Sequence, residues 1–199
     1  MKRLLLIALL ALAAVLPFAA PTAHAATVNV SAFGNSSTGG TGAIAGALTA
    51  GQAFSISVDP LDLWNAGALP RWSNANGLIG NLLATGSDES GQVFGTQIGI
   101  AWPGLYTQGN LTAAFGTLVG RIGGGNYFTV GTNFNGVAAS SGVLELFYWD
   151  SNFSDNTQFI TATVNAAVVP LPAAAWLFIF GALGMLGVTR RRPATSVAA

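Results

Sequence analysis

Seven residues, Asp150-Ser151-Asn152-Phe153-Ser154-Asp155-Asn156, hold the densest set of oxygen donors in the chain: two carboxylates and two side-chain amides. A hard cation such as Ca²⁺ takes six to eight oxygens from carboxylates, amides and main-chain carbonyls, and a loop of this composition can wrap one. The same residues can also form an Asx-rich turn, in which Asp and Asn side chains cap their own backbone. Two close carboxylates without a counter-ion repel each other, which favours calcium over the plain turn.

Other chemistries have little to work with. Between residues 26 and 168 there is no His, Cys or Lys, which removes the usual bases, thiol nucleophiles and Schiff-base formers. The carboxylate pairs Asp59/Asp62 and Asp88/Glu89 could in principle serve a glycosidase, but they lie beside Pro, Gly and Ser in turn-like surroundings that favour capping. The expectation is a protein that is not an enzyme, with a carbohydrate-active enzyme as the remote alternative. The glycine runs at 39–42 and 123–125 lack the Gly-Lys-Ser/Thr of a phosphate loop.

The donor loop needs a scaffold, and the pattern around it is that of strands. Phe54, Ile56 and Val58 alternate with Ser55 and Ser57, as Ile160, Ala162 and Val164 alternate with Thr161 and Thr163. Further strands are expected at 27–33, 111–122, 127–130 and 143–149, with turns at Gly39-Gly40, Gly123-Gly124-Gly125 and Ser140-Ser141-Gly142. Short strands separated by glycine predict an all-β fold, a β-sandwich over residues 26–168. Residues 73–109, rich in Asn and Gly, read as long loops with a short helix near 78–83. Trp64, Trp72 and Trp149 are expected in the core or at its lip. Trp102 and Tyr106, in Trp102-Pro103-Gly104-Leu105-Tyr106, form an aromatic loop that is either buried core or a platform for an apolar sugar face.

Both ends of the chain read as targeting segments. Lys2 and Arg3, an apolar run at 4–16 and the small-x-small site Ala23-His24-Ala25 make a secretory signal peptide over residues 1–25, cut by signal peptidase after Ala25. At the other end, Val169-Pro170-Leu171-Pro172 precedes an uncharged stretch and then Arg190, Arg191 and Arg192. As a transmembrane helix, residues 171–189 would span about 28 Å, close to the thickness of a bilayer core. The arginines would hold the 193–199 tail in the cytoplasm and everything before Val169 outside. Once these ends are set aside, Arg71 and Arg121 face seven acidic residues, leaving residues 26–168 with a net charge of −5. This argues against a nucleic-acid partner.

Two resemblances sharpen the expectation. The run Val169-Pro170-Leu171-Pro172, the apolar span and the arginines resemble the PEP-CTERM sorting signal at 169–192, with Leu171 where that family usually has Glu. The resemblance implies processing by an exosortase, a temporary membrane anchor, and delivery to the cell surface or extracellular matrix. The middle of the chain is similar, in order, to calcium-dependent galactophilic lectins of the LecA type. The residues that carry this are Thr49-Ala50-Gly51-Gln52-Ala53-Phe54-Ser55-Ile56-Ser57, Trp64, Trp72, 116–123, Val130-Gly131, Leu146-Phe147-Tyr148-Trp149-Asp150 and Asp155-Asn156.

That second resemblance implies a jelly-roll-like sandwich with one Ca²⁺ that binds galactosides or extracellular polysaccharide through the ion. It assigns side-chain oxygens to Asp150, Asp155 and Asn156, one carbonyl near Asn152 and another in the Ala66-Gly67 loop. The lectins' histidine has no counterpart, because His24 lies in the signal peptide. A structural matrix protein without a specific ligand is the alternative function.

Overall fold

The computed structural model describes residues 24–167 and the isolated Gly181. The chain divides into two units, Met1–Val168 and Val169–Ala199. The account below concerns the first. Residues 1–23, including Ala23, and the sorting motif with its span and Arg190, Arg191 and Arg192 lie outside the described residues. No described helix is long and apolar enough to cross a membrane.

The described residues are all β. One antiparallel sheet runs β1 (His24–Ser31), β14 (Phe159–Ala166), β3 (Ala53–Val58) and β12 (Asn133–Val137). The other runs β11 (Tyr127–Thr129), β10 (Thr117–Ile122), β13 (Gly142–Trp149) and β2 (Ala43–Leu48). Three two-stranded ribbons complete the fold: β4 (Trp64–Asn65) with β5 (Trp72–Ser73), β6 (Leu82–Leu83) with β7 (Gln97–Gly99), and β8 (Tyr106–Gln108) with β9 (Leu111–Ala113).

Alternation in the sequence becomes the two faces of the first sheet. Phe54, Ile56 and Val58 of β3 and Ile160, Ala162 and Val164 of β14 point inward and are buried. Their polar neighbours line up outside, with Ser57 opposite both Asn133 and Thr163, and Ser55 opposite both Asn135 and Asn165. From the second sheet, Leu118, Ile122, Leu144, Leu146 and Tyr148 meet the inward face in one apolar cluster. That shared core makes the two sheets a sandwich.

The second sheet is buried on its outer face too. Its Val119, Phe147 and Trp149 are covered by the β8–β9 hairpin, with Ala113 buried and Tyr106 and Leu111 packed alongside. Asn110 at the hairpin turn pins it to β11, donating to the Tyr127 carbonyl at 2.8 Å and accepting from the Tyr127 N–H at 2.8 Å. Covering both faces explains why β13 reads as a nearly continuous apolar run rather than an alternating one.

Several expectations need correction. The 111–122 segment is two strands, because Gly116 turns the chain with φ +76 between β9 and β10. The helix near 78–83 is absent. Leu78 belongs to the main core, whereas Leu82 packs against a second cluster of Leu63, Trp72, Ala84 and Ile98. Leucines four residues apart imitate a helical period, yet here they serve different cores. Region 73–109 therefore contains short strands rather than loops alone. Strands β2 and β12 escape the sequence pattern because Gly46 and Gly136 interrupt them.

The expected cut after Ala25 falls within β1, between the pairs Ala25↔Asn165 and Ala26↔Val164. Trimming there would keep the six pairs from Ala26↔Val164 to Ser31↔Phe159.

Candidate functional site

Strand β13 ends at Trp149, and the donor loop begins at the next residue, Asp150. Two contacts fix its start. Ser37 Oγ donates to the Asp150 carbonyl at 3.3 Å and accepts from the Asp150 N–H at 3.3 Å. Further along, the Phe153 ring packs 5.4 Å from Phe33 and closely against Gly39. At the loop's end Asn65 and Thr157 exchange backbone hydrogen bonds at 3.1 Å, tying the β4–β5 ribbon to it. These attachments bring three stretches distant in sequence to one place.

Beside the loop lies a pocket of about 160 Å³ lined by Ala66, Arg71, Leu78, Trp102, Phe115 and residues of the donor loop, namely Asp150, Ser151, Asn152 and Asp155. Asn156 lies buried at 3% exposure, and Gly67 packs closely against the Asp155 carboxylate. The positive φ of Gly67, +107, suits glycine there, and a Cβ would collide with Asp155. Thus the Ala66-Gly67 loop does meet the donor loop.

Asp150 is the unusual member. Its residue is 5% exposed, and no described cation pairs with it. Burial raises its carboxyl above the ordinary carboxylate value. Hydrogen bonds from Asn156 and from the Asn152 and Ser151 N–H groups pull the other way, and the Asp155 charge adds to the rise. The nearby Tyr148 phenol is pushed well up by full burial, with a further push from Asp150 and Asp155. Asn156 donates Nδ2–H to the Ala32 carbonyl at 3.2 Å, while its buried Oδ1 has no protein partner.

Part of the loop does behave as an Asx turn. Asp150 Oδ1 accepts from the Ser151 N–H at 2.7 Å and the Asn152 N–H at 3.4 Å, and Asn152 Oδ1 accepts from the Ser154 N–H at 3.3 Å. Asn152 Nδ2 donates to Asp155 Oδ1 at 3.2 Å.

The argument that both carboxylates lack a counter-ion fails for Asp155. Arg71 Nη1 donates to Asp155 Oδ2 at 3.3 Å and to the Ala66 carbonyl at 3.1 Å, and its guanidinium lies 5.1 Å from the centre of the Trp102 ring. Sequence reasoning missed Arg71. The available signal was its rarity, since it is one of two cations between residues 26 and 168.

The donor chemistry suits calcium better than a softer metal. No group of three or more His, Cys, Asp or Glu side chains gathers among the described residues. Remaining ligands would have to be amide and carbonyl oxygens, the set that Ca²⁺ accepts. The Asp150 carboxylate, without a cation partner among the described residues, and the Asn156 Oδ1, without a hydrogen bond, are oxygen donors of the kind a hard cation accepts.

The aromatic loop divides. Trp102 lines the pocket; Tyr106 is not among its lining residues but stacks behind one of them, 5.7 Å from Phe115 and 5.3 Å from Trp149 by ring centres. Tyr106 packs over the outer face of the second sheet, and its hydroxyl pairs with Thr38 Oγ1 at 2.9 Å. Trp64, Trp72 and Trp149 are all buried. Of the other carboxylates, Asp59 accepts from the Leu61 N–H at 2.9 Å, Asp62 from the Thr161 N–H at 2.6 Å, and Asp88 from Thr85 and Ser90. Asp59 and Asp88 cap their own turns, whereas Asp62 ties its loop to β14. A second, more open trough of about 360 Å³ over Ser55, Asn135 and Asn165 contains no charged side chain.

The sequence matches no family model and no curated protein. Among solved structures, a chain described as "EclA N-terminal domain; PllA-like lectin" is 18% identical, with 71% of this chain and 94% of that chain covered at a TM-score of 0.41. The sandwich assignment rests on the strand pairing above rather than on this similarity.

Proposed function

We propose that the protein is a non-enzymatic, exported surface or matrix protein whose sandwich binds Ca²⁺ and an extracellular saccharide at the Asp150 pocket. One observation carries the reading: the buried Asp150 carboxylate has no cation partner, beside an Asn156 Oδ1 with no hydrogen bond. Asp150, Asp155 and Asn156 would supply side-chain oxygens, with carbonyls near Asn152 and in the Ala66-Gly67 loop. When bound, the ion would supply coordination for sugar hydroxyls. Trp102 would offer its ring to the apolar face of the same sugar, where broad aromatic contact gives orientation. Galactosides and the host's own extracellular polysaccharide are the candidate ligands.

Export belongs to the same proposal. The signal peptide of residues 1–25 would be removed by signal peptidase, and an exosortase would cut near Val169-Pro170-Leu171-Pro172 after the tail has served as a temporary anchor. Support for this lies in the sequence, with motif, span and arginines in order.

A structural matrix protein without a ligand remains a second reading, favoured by the Asx-turn hydrogen bonds of Asp150 and Asn152. Calorimetric titration of the full-length protein with CaCl₂, then with galactosides or the host polysaccharide, separates the two. Calcium heat followed by calcium-dependent sugar heat is expected; no heat from either leaves the structural reading.

A further inference from the structure

Arg71 has no place in the donor set, yet it touches two members of it. One guanidinium nitrogen, Nη1, donates to both the Ala66 carbonyl at 3.1 Å and Asp155 Oδ2 at 3.3 Å. A guanidinium carries a positive charge and offers donors but no acceptor. Each of these oxygens keeps a second lone pair, so the conflict with a divalent cation is one of charge: the guanidinium sits against two of the oxygens that the ion would use.

We infer that Arg71 is the resident counter-ion of this pocket and the residue that sets its affinity for a divalent cation. The inference rests on the calcium reading above and adds a residue to it. With Arg71 in place the charge of the pair Asp150 and Asp155 is partly cancelled, and only Asp150, out of reach of any described cation, keeps its full claim on an ion.

The geometry also lets Arg71 yield. Its side chain is 33% exposed and that of Asp155 42%, so the ion pair is screened and weak, and a displaced guanidinium moves into water rather than into the core. Arg71 also lies over Trp102, 5.1 Å from the ring centre. An entering cation that drives Arg71 off Asp155 would thus loosen it from the aromatic face that a sugar would use, coupling the two binding events through one side chain.

The test is CaCl₂ calorimetry on the full-length protein in three forms: wild type, Arg71→Gln and Arg71→Lys, each melted first in chelator to verify folding. Because this ion pair is partly exposed and screened, losing its competition with the ion is expected to tighten calcium binding by about two- to fivefold in Arg71→Gln. Arg71→Lys keeps the charge and is expected to stay near wild type. Equal or weaker calcium binding by Arg71→Gln, or the same gain in Arg71→Lys as in Arg71→Gln, overturns the role of Arg71 while leaving the calcium site intact. Absence of calcium binding in all three forms removes the site and this inference together.

Discussion

Replacing Asp150 by Asn tests the central feature of the pocket, a buried carboxylate with no cation partner among the described residues. The substitution keeps the side chain's volume and an oxygen able to accept from the Ser151 and Asn152 N–H groups, while removing the charge. Burial raises the folded carboxyl above its ordinary value of 3.8. The folded state therefore binds this proton more tightly than the unfolded state. The resulting stabilisation is complete below the unfolded value and is lost as pH rises through the folded one. Toward neutral pH without metal, the net penalty of ionising this buried carboxyl falls on wild type and not on Asp150→Asn.

The variant should consequently melt above wild type in chelator at pH 7, and the gap should narrow as pH falls toward the carboxylate range. Calcium reverses the order. At a hundred times its Kd, a ligand that binds only the folded state adds about 2.7 kcal/mol. For a domain of this size that is a rise of about 5–11 °C for wild type, and no comparable rise for Asp150→Asn. Differential scanning calorimetry at two pH values, with chelator and with CaCl₂, reads all four arms. An Asp150→Asn variant that melts below wild type in chelator at pH 7 would refute the claim that burial costs this carboxylate more than its hydrogen bonds return.

Other outcomes follow from the packing. Trp64 is fully buried, stands edge-on to Tyr148 at 4.5 Å and donates Nε1–H to the Gly116 carbonyl at 3.0 Å, so Trp64→Ala should cost about 3–5 kcal/mol in urea unfolding. Gly116→Ala puts a Cβ 2.7 Å from Ser73 Oγ at φ +76 and should cost about 1–3 kcal/mol, more than Gly109→Ala, where nothing lies within 4 Å. Trp102→Ala should weaken calcium-dependent sugar binding by about tenfold in the same calorimetric titration, with calcium affinity retained. Mass analysis of the exported product should show loss of the segment containing Gly181; a product that keeps it makes the tail a plain anchor.

Much of this protein is local information. Alternation at 54–58 and 160–164 specified two strands and their buried faces, because a pleated strand sends successive side chains to opposite sides whatever surrounds it. The crowding of Asp150, Asn152, Asp155 and Asn156 was equally visible, since a single loop holds them all. Other features depended on which distant segments meet. Arg71 reaches Asp155 across 84 positions of sequence, Ala66 joins them where reciprocal bonds between Asn65 and Thr157 dock its ribbon on the loop, and Trp102 comes from a separate segment whose N–H donates to the Leu78 carbonyl at 3.0 Å. Tyr106 sits behind the pocket wall for the same reason, drawn over Trp149 by a hairpin whose register no periodicity announces. Residue spacing within one element could thus be read from the chain alone. Whether the second carboxylate stood bare or already held a counter-ion was decided by packing between elements.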